Sequence, residues 1–188
     1  MVYIAILRGI NVGQKNRIKM TDLRQSLKEL GLAQIQTYIQ SGNLVFVTEE
    51  MPNQELEKRI AVCIKKDFDS EVSVIAHTQK DWQKIMDENP FLQDSLKEEK
   101  YMHVSFLGET PADFKEKELR SKLRQEEGIE FGPQAVYRYC PNGYGKTKLT
   151  NSVLENKLKV KATTRNWRTT SKLLQLAKQT QKQLDQEN

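Results

Sequence analysis

The sequence predicts an α+β protein built from two halves, in which short strands and amphipathic helices are mixed. Apolar runs of strand length are separated by stretches with helical spacing of apolar residues, and this succession is met once before residue 79 and starts again at residue 101. The 188 residues can bury one large core or two small ones, and 37% apolar with 29% charged residues is typical of a globular protein.

The first half, residues 1–78, is predicted to contain four strands and two helices. The strands are 2–7, 35–39, 44–47 and 72–75, and the helices are 20–30 and 52–68. Leu23 and Leu27 lie one turn apart on the first helix, which Gly31 terminates. Pro52 can open the second helix at its first turn. The resulting order is βαββαβ.

The second half, residues 101–188, follows a helical linker over residues 79–100 and repeats most of this order. Its predicted elements are a strand at 101–107, a helix opened by Thr110-Pro111, strands at 129–131 and 135–139, and helices at 146–158 and 169–184. No fourth strand is predicted here. We therefore expect two ferredoxin-like halves, each an antiparallel sheet with helices on one face, the second modified by C-terminal helices.

Charge is distributed very unevenly along the chain. Residues 138–178 carry ten Lys or Arg and one acid, whereas residues 48–137 carry thirteen bases and twenty acids. Residues 1–47 carry six bases and two acids, and the net charge of the whole chain is +5. Two basic segments around an acidic middle predict a surface that meets an anionic partner.

The composition argues against membrane and disulfide-rich classes. The sequence has no apolar run of about 18 residues that could span a membrane, and residues 2–10 read as a strand rather than as a signal peptide. Cys63 and Cys140 are far apart and form no CxxC motif, which predicts a reduced chain without disulfides. We expect a cytoplasmic protein with no membrane partner.

The loop after the first strand is the first candidate for ligand binding. Arg8-Gly9-Ile10-Asn11 follows a strand and precedes a helix, so glycine N–H groups and the forked guanidinium of Arg8 could hold a phosphate or a carboxylate. The spacing from Gly9 to Gly13 is GxxxG and differs from the dinucleotide motif GxGxxG. The alternative is a turn whose glycines adopt positive φ while Arg8 pairs with an acid.

The hairpin turn Gln40-Ser41-Gly42-Asn43 is expected beside that loop. In a βαββαβ unit the first two strands run parallel and the third runs back, so the end of the first strand and this turn share one sheet edge. Ser41 and Asn43 are thereby predicted to lie near residues 8–11. Turn chemistry alone also accounts for these residues, since Asn and Gly readily adopt left-handed conformations.

The segment 141–151, PNGYGKTKLTN, gives the strongest local signal. It leaves an apolar strand, passes two glycines and is expected to enter a helix at GKT, residues 145–147, where N–H groups, the helix dipole and a lysine would favour an anion. The P-loop pattern GxxxxGK[ST] is not met, because Cys140 stands in place of its first glycine. A glycine turn with solvated lysines is the alternative. The candidate ligand-binding residues are Tyr144, Lys146 and Lys148.

The segment 162–170, ATTRNWRTT, is the fourth polar cluster. Arg165 and Asn166 could contact phosphate, and Trp167 could stack on a base. We expect instead that Trp167 is buried and that Thr169 or Thr170 caps the last helix, which leaves Arg165 and Asn166 to act.

No catalytic constellation is recognisable in the sequence. His77 and His103 lie in or beside strands and are not at metal-ligand spacing, and no HExxH or GxSxG motif is present. Basic neighbours such as Arg138 could lower the pKa of Cys140, but no base adjoins it in sequence. We expect no metal and no cofactor, and enzymatic activity stays an open question.

These clusters closely resemble a known bacterial family, domain-of-unknown-function family 1697. Its members carry YIALLRGINVGG, TYIQSGNVVF, PNGYGRSKLTN and ATTRNW in this order. The matching stretches here are YIAILRGINVGQ (3–14), TYIQSGNLVF (37–46), PNGYGKTKLTN (141–151) and ATTRNW (162–167). The resemblance implies a duplicated ferredoxin-like fold and no established activity. Gln14 replaces a usual glycine, and Lys146-Thr147 replaces the frequent Arg-Ser, which keeps the charge but loses the guanidinium fork.

Three functions remain open at this point. The first is binding of a phosphate-containing ligand, with nucleic acid as the leading class, and the second is an enzyme acting on a small phosphorylated or nucleotide-like substrate. The third is a module that binds a protein partner or serves a structural role, in which the polar motifs form turns and caps. The predicted ligand-binding residues are Arg8, Gly9, Asn11, Ser41, Asn43, Tyr144, Lys146, Lys148, Arg165 and Asn166.

Overall fold

The structure, a computed structural model, describes residues 1–11 and 17–187. The chain divides into two compact units, of which the first comprises Met1–Gln83 and the residues from Lys172 onward, and the second comprises Lys84–Ser171. Each unit holds a four-stranded antiparallel sheet with helices, and a long helix lies at the C-terminal end, which confirms the predicted α+β class. Within the described ranges, no helix combines the length and the apolar character needed to cross a membrane.

The first unit has the predicted βαββαβ order. Its elements are β1 (Val2–Arg8), α1 (Met20–Lys28), β2 (Ala33–Thr37), β3 (Asn43–Val47), α2 (Asn53–Phe68) and β4 (Ser73–Thr78). The strands are arranged β2-β3-β1-β4, and β1 pairs antiparallel with both β3 and β4. This arrangement is the ferredoxin-like one.

Both helices of the first unit bury an apolar stripe against one face of its sheet. The shared core includes Tyr3, Ala5 and Leu7 of β1, Leu23 and Leu27 of α1, and Leu56, Ile60 and Ile64 of α2. These side chains recur at every second residue in the strand and at three- or four-residue spacing in the helices, as the sequence pattern requires. Complete burial of one such large apolar side chain stabilises the fold by about 1.5–3 kcal/mol.

The second unit repeats this architecture after a connecting segment. Its elements are the end of α3 (Gln79–Asp87), two short 3-10 helices (Pro90–Gln93 and Glu99–Tyr101), β5 (Met102–Leu107), α4 (Glu116–Arg120), β6 (Gly128–Phe131), β7 (Ala135–Tyr139), a 3-10 turn (Tyr144–Lys146), α5 (Asn151–Leu158), β8 (Ala162–Asn166) and the start of α6 (Trp167–Glu187). The strand order β6-β7-β5-β8 is the counterpart of the order in the first unit.

Strand β8 was not expected from the sequence. Four of its five residues, ATTRN, are polar, yet the strand pairs antiparallel with the central strand β5, from His103 opposite Asn166 to Leu107 opposite Ala162. Pairing with a central strand outweighs the weak apolar signal of the segment. The second half is therefore a complete βαββαβ unit, and α6 follows it.

Helix α4 is much shorter than the helix predicted to open at Thr110-Pro111. The preceding residues are not helical, and the Phe114 ring instead packs at 5.0 Å, centroid to centroid, on the ring of Phe131. Leu119 is the residue of α4 that is fully buried. An aromatic contact with the edge strand thus fixes a stretch that propensity alone would have made helical.

A glutamate on α2 in the first unit and a glutamate on α5 in the second each accept a hydrogen bond from the backbone of the last strand of their unit. In the first unit Glu57 Oε1 accepts from the N–H of Ala76 at 3.0 Å, and in the second Glu155 Oε1 accepts from the N–H of Ala162 at 3.0 Å. Strands β4 and β8 are each paired on one side only, so these N–H groups have no strand partner. The two halves share this detail although their sequences differ.

Candidate functional site

The loop after β1 and the β2–β3 turn converge, as the topology predicts. The N–H of Leu7 donates to the Gly42 carbonyl at 2.7 Å, and the Asn11 amide nitrogen donates to the Gln40 carbonyl at 2.7 Å. Arg8 is half-buried, while Gly9 and Ser41 are exposed. Residues 12–16, which include Gly13 and Gln14 of the predicted motif, lie outside the described residues.

The side chain of Asn11 stabilises this loop through hydrogen bonds to its backbone. Its amide nitrogen also donates to the Ile18 carbonyl at 3.0 Å, and its side-chain oxygen accepts from the N–H of Ile18 at 2.8 Å. The residue adopts a positive φ of 52°, which Asn tolerates better than most residues. Three of its hydrogen bonds therefore go to backbone groups, and they close the loop on itself and onto the turn.

Asn43 and Gly42 serve the turn in a similar way. Asn43 is fully buried, and its amide nitrogen donates to the Tyr38 carbonyl at 3.0 Å and to Ser41 Oγ at 2.9 Å. Gly42 has φ of 70°, and a Cβ atom there would lie 2.7 Å from the Cβ of Leu7. Backbone and side-chain packing thus account for both residues without a ligand.

In the second unit the predicted helix start at GKT is wrong. Residues Tyr144–Lys146 form a single 3-10 turn, and α5 begins only at Asn151, where Thr150 Oγ1 accepts from the N–H of Val153 at 3.3 Å. Between them Thr147 is extended, and its hydroxyl accepts from the N–H of Leu149 at 3.2 Å. The positive end of the helix dipole is therefore not at Lys146.

The buried side chain of Arg138 fixes the conformation of this loop through hydrogen bonds. Its side chain is only 1% exposed, although it sits in the otherwise apolar strand β7. One guanidinium nitrogen donates to the Tyr144 hydroxyl at 3.3 Å and another donates to the Leu149 carbonyl. The guanidinium also lies 4.7 Å from the Tyr144 ring centroid. No carboxylate of the described chain lies within 4.0 Å of it.

A layer of polar side chains continues from Arg138 across the same face of the sheet. Thr164 Oγ1 donates to Asn151 Oδ1 at 2.5 Å and shares a 2.7 Å hydrogen bond with Ser105 Oγ. The Tyr144 hydroxyl lies 3.4 Å from the same Asn151 oxygen. Asn151 therefore ties the loop and the start of α5 to strands β5 and β8.

His103 lies next to this layer and stacks on Tyr144. Their ring centroids are 4.8 Å apart and the rings are inclined by 24°. Burial lowers the pKa of His103, and the positive charge of Arg138 acts in the same direction, while a contact with the Tyr101 carbonyl opposes it. The imidazole is consequently neutral at pH 7.

The lysines of the loop face solvent. Lys146 and Lys148 are exposed, and neither has a carboxylate partner within 4.0 Å among the residues that the structure describes. Cations so placed are available to an anion from outside. They are the part of the predicted site that the fold leaves most open.

Arg165 and Asn166 are used largely by the fold. Arg165 is half-buried and donates to the Thr164 carbonyl at 3.0 Å, and desolvation lowers its pKa to about 10, so it stays charged at pH 7. Asn166 caps α6, because its side-chain oxygen accepts from the N–H of Thr169 at 2.8 Å. The predicted caps, Thr169 and Thr170, lie inside the helix. Trp167 is buried, as predicted.

Cys140 and His77 do not have the properties of catalytic groups. Burial raises the pKa of the Cys140 thiol, and this outweighs the lowering effect of Arg138 that the sequence suggested. Burial likewise lowers the pKa of His77 to about 4. In the described parts of the chain, no three His, Cys, Asp or Glu side chains are grouped so that they could hold a metal ion.

Sequence reasoning missed the buried members of this site. Arg138 was considered only as a neighbour of Cys140, and His103 only as a metal ligand. An arginine in the apolar strand AVYRY was the available signal, because charged side chains are almost never fully buried without a specific reason. Ser105, Asn151 and Thr164 gave no signal, since their roles depend on pairing with β8.

Comparisons with known proteins place the chain by sequence and by fold. The sequence profile of the family described as "Protein of unknown function (DUF1697)" matches residues 1–137. Among solved structures, conserved bacterial protein SP0830 from Streptococcus pneumoniae is similar, with a TM-score of 0.69 and 24% sequence identity over 94% of this chain and 98% of the other. At this identity the likeness shows the fold alone. No protein of curated function matches.

Proposed function

Because the chain belongs to the DUF1697 family, whose description gives no function, we propose from the geometry of the second unit that the protein binds a phosphate-containing ligand and that this ligand is nucleic acid. The observation that carries the proposal is the buried guanidinium of Arg138 beneath a loop that exposes Lys146 and Lys148. The proposed contacts are the two lysines and the hydroxyl of Tyr144.

The electrostatics of the loop support an anionic ligand. A buried charge is normally paired, because removing it from water is costly. Arg138 has a carbonyl, a hydroxyl and an aromatic ring as neighbours, all of which leave its full positive charge in place. A phosphate held by the solvent-exposed Lys146 and Lys148 would be attracted by the charge of Arg138 as well, and this attraction should weaken as salt is added.

The distribution of exposed cations supports a polyanion as the ligand. Exposed basic residues without a carboxylate partner within 4.0 Å in the described chain occur at both ends of the sheet of the second unit, with Lys159 and Lys161 near Gly108 and the others near His103. They are Lys146, Lys148, Lys159, Lys161 and Arg168. A chain of phosphates can be contacted by several such residues at once, and each contact releases counterions.

The aromatic residues argue for recognition of the backbone rather than of bases. The Tyr144 ring already contacts His103 and Arg138, and Trp167 is buried. Stacking of bases on these rings would require them to leave their present contacts. We therefore propose binding without sequence preference, through phosphate groups. Arg165 and Asn166 support β8 and α6, whereas Arg8, Gly9 and Ser41 stay proposed phosphate contacts of the first unit.

The test is fluorescence anisotropy with a labelled single-stranded RNA or DNA of about 16 nucleotides. Affinity should fall steeply between about 50 and 200 mM salt. The double variant Lys146→Gln/Lys148→Gln should weaken binding and reduce the salt slope by about 1–2 units. Lys58→Gln/Lys66→Gln removes the same charge from exposed positions on α2 and should change the slope little. Equal losses in both double variants would refute the proposal.

A small phosphorylated substrate is the second candidate. The observation favouring it is the closed polar layer of Ser105, Asn151 and Thr164 with neutral His103 beside it, which suits a compact ligand better than a long one. It predicts a saturable thermal shift with nucleotides or sugar phosphates, equivalent to about 2.7 kcal/mol at a hundredfold excess over Kd. A shift with oligonucleotides alone would exclude this candidate.

A further inference from the structure

A pocket of about 420 Å³ opens in the first unit between the start of α1 and the β2–β3 connection. Its volume lies within the range of small-molecule sites. The residues that matter for its chemistry are Lys19, Thr21 and Arg24 on the side of α1, and Thr37 and Ile39 on the other side.

The pocket carries two positive charges without a carboxylate counterpart. Arg24 is half-buried and Lys19 is exposed, and neither lies within 4.0 Å of a carboxylate in the described chain. One guanidinium nitrogen of Arg24 donates to Thr37 Oγ1 at 2.6 Å, which fixes the orientation of the planar group. A guanidinium has five N–H donors in a fixed fork, so an oriented Arg24 can still present donors to a phosphate.

An exposed isoleucine in an unfavourable conformation borders these cations. Ile39 is 53% exposed and has φ of 51°. A β-branched residue is strongly disfavoured in the left-handed region, which Gly or Asn adopts readily. The side chain of Ile39 therefore contributes little to the stability of the folded protein. It provides an apolar surface in the same pocket as Lys19 and Arg24.

We propose that this pocket binds a small organic phosphate whose phosphoryl group contacts Lys19 and Arg24 and whose apolar body covers Ile39. The Thr37 hydroxyl accepts from Arg24 and keeps its own proton to donate to a phosphate oxygen, whereas the Thr21 hydroxyl donates to Asp22 Oδ1 at 3.0 Å. The pocket is lined by residues of the first unit, whereas Lys146 and Lys148 belong to the second, so we expect variants of these two lysines to leave binding in the pocket unchanged. The two proposals can therefore fail independently.

The experiment is a calorimetric titration of the full chain with phenyl phosphate, inorganic phosphate and phenol. Phenyl phosphate should bind with a saturable heat and more tightly than inorganic phosphate, and phenol should not bind. Arg24→Gln should weaken phenyl phosphate about tenfold or more, since it removes a charge-assisted hydrogen bond. The matched control Lys58→Gln, which removes an exposed charge from α2, should leave the affinity unchanged.

Two further variants make the result decisive. Ile39→Asn should raise Tm by about 2–4 °C, since it relieves the backbone, and should weaken phenyl phosphate while inorganic phosphate binds as before. Lys19→Gln, at an exposed position, tests the charge if Arg24→Gln does not fold. The proposal is overturned if phenyl phosphate binds no more tightly than inorganic phosphate. It is also overturned if Lys58→Gln loses as much affinity as Arg24→Gln or Lys19→Gln.

Discussion

The guanidinium of Arg138 lies 4.7 Å from the Tyr144 ring centroid and donates to the hydroxyl of the same residue at 3.3 Å. Arg138, in strand β7, therefore contacts both the ring face and the hydroxyl group of Tyr144 in the loop. Through the second hydrogen bond of Arg138, to the Leu149 carbonyl, the same cation also fixes the far end of the loop. The conformation that presents Lys146 and Lys148 consequently depends on one buried charge.

Substitutions of Tyr144 should separate the ring contact from the hydroxyl contact. Tyr144→Leu removes a cation–π interaction and the stacking on His103, so we expect it to lower the free energy of unfolding by about 2–3 kcal/mol. Tyr144→Phe keeps both ring contacts and loses only long hydroxyl contacts, so its cost should stay below about 1 kcal/mol. Urea denaturation of the two variants measures the difference. Equal costs would show that the two ring contacts, with Arg138 and with His103, contribute nothing.

Glycine at position 42 should be required for steric reasons as well as for its φ. Gly42→Ala brings a Cβ within 2.7 Å of Leu7 Cβ and Ile10 Cδ1, so we expect a loss of about 2–4 kcal/mol. Gly31→Ala is the matched control, because Gly31 also has a positive φ, of 80°, but has open space around it. That variant should cost about 1 kcal/mol. Thermal or urea unfolding of both proteins provides the comparison, and similar losses would contradict the steric argument.

Removing the strained isoleucine should stabilise the protein. Ile39→Asn replaces a β-branched residue at φ of 51° with one that tolerates this region, and we expect a gain of about 1 kcal/mol in the free energy of unfolding. Leu96→Asn serves as a control, since Leu96 is 88% exposed and does not have a positive φ. The control should change stability by less than about 0.5 kcal/mol. A loss of stability in Ile39→Asn would mean that the side chain packs better than its exposure indicates.

The protein should become less stable as the pH falls from 6.5 to about 4. In this range His77 takes up a proton in the unfolded chain but stays neutral in the folded protein. Burial lowers the pKa of His77 from 6.5 to about 4, so the unfolded state binds more protons between these two values. The stabilising effect is complete above pH 6.5 and is lost as the pH falls to 4, at a total cost of about 3 kcal/mol.

The His77→Phe variant isolates this contribution. Its unfolding free energy, measured by urea denaturation from pH 7 to pH 4, should decline less steeply than that of the unsubstituted protein. Gln79→Ala, next to the end of β4, is the control, because it removes no titratable group and leaves the contribution of His77 in place. Parallel pH profiles for the unsubstituted protein and His77→Phe would refute the assignment.

Much of the fold could be predicted because the spacing of apolar residues within each segment is enough to identify its helix or strand and its buried face. Leu23 and Leu27 mark the buried face of α1, and the alternation in β1 marks its two faces. The approach of residues 8–11 to the β2–β3 turn followed from strand order alone. Strand β8 escaped prediction because it owes its conformation to pairing with β5, which is not visible in ATTRN itself.

The candidate site was harder to predict than the fold, for a related reason. Polar residues in turns can bind a ligand or their own backbone, and sequence does not distinguish the two. Asn11 and Asn43 turned out to bind backbone groups, whereas Lys146 and Lys148 face solvent. The sequence predicts a start of α5 that is several residues too early. Hydrogen bonds of Thr147 and Arg138 keep residues 147–149 in a non-helical conformation, which the sequence does not reveal.

The pairing of Glu57 with Ala76 and of Glu155 with Ala162 has a consequence for the behaviour of the protein among other molecules. An outer strand with unpaired N–H groups is a template to which a strand of another chain can add. In both units a helix side chain occupies one of these donors and also places a carboxylate at that margin. One outward-facing donor of each of these edge strands is therefore already occupied, which makes β4 and β8 less suitable templates for a strand of another chain at that position.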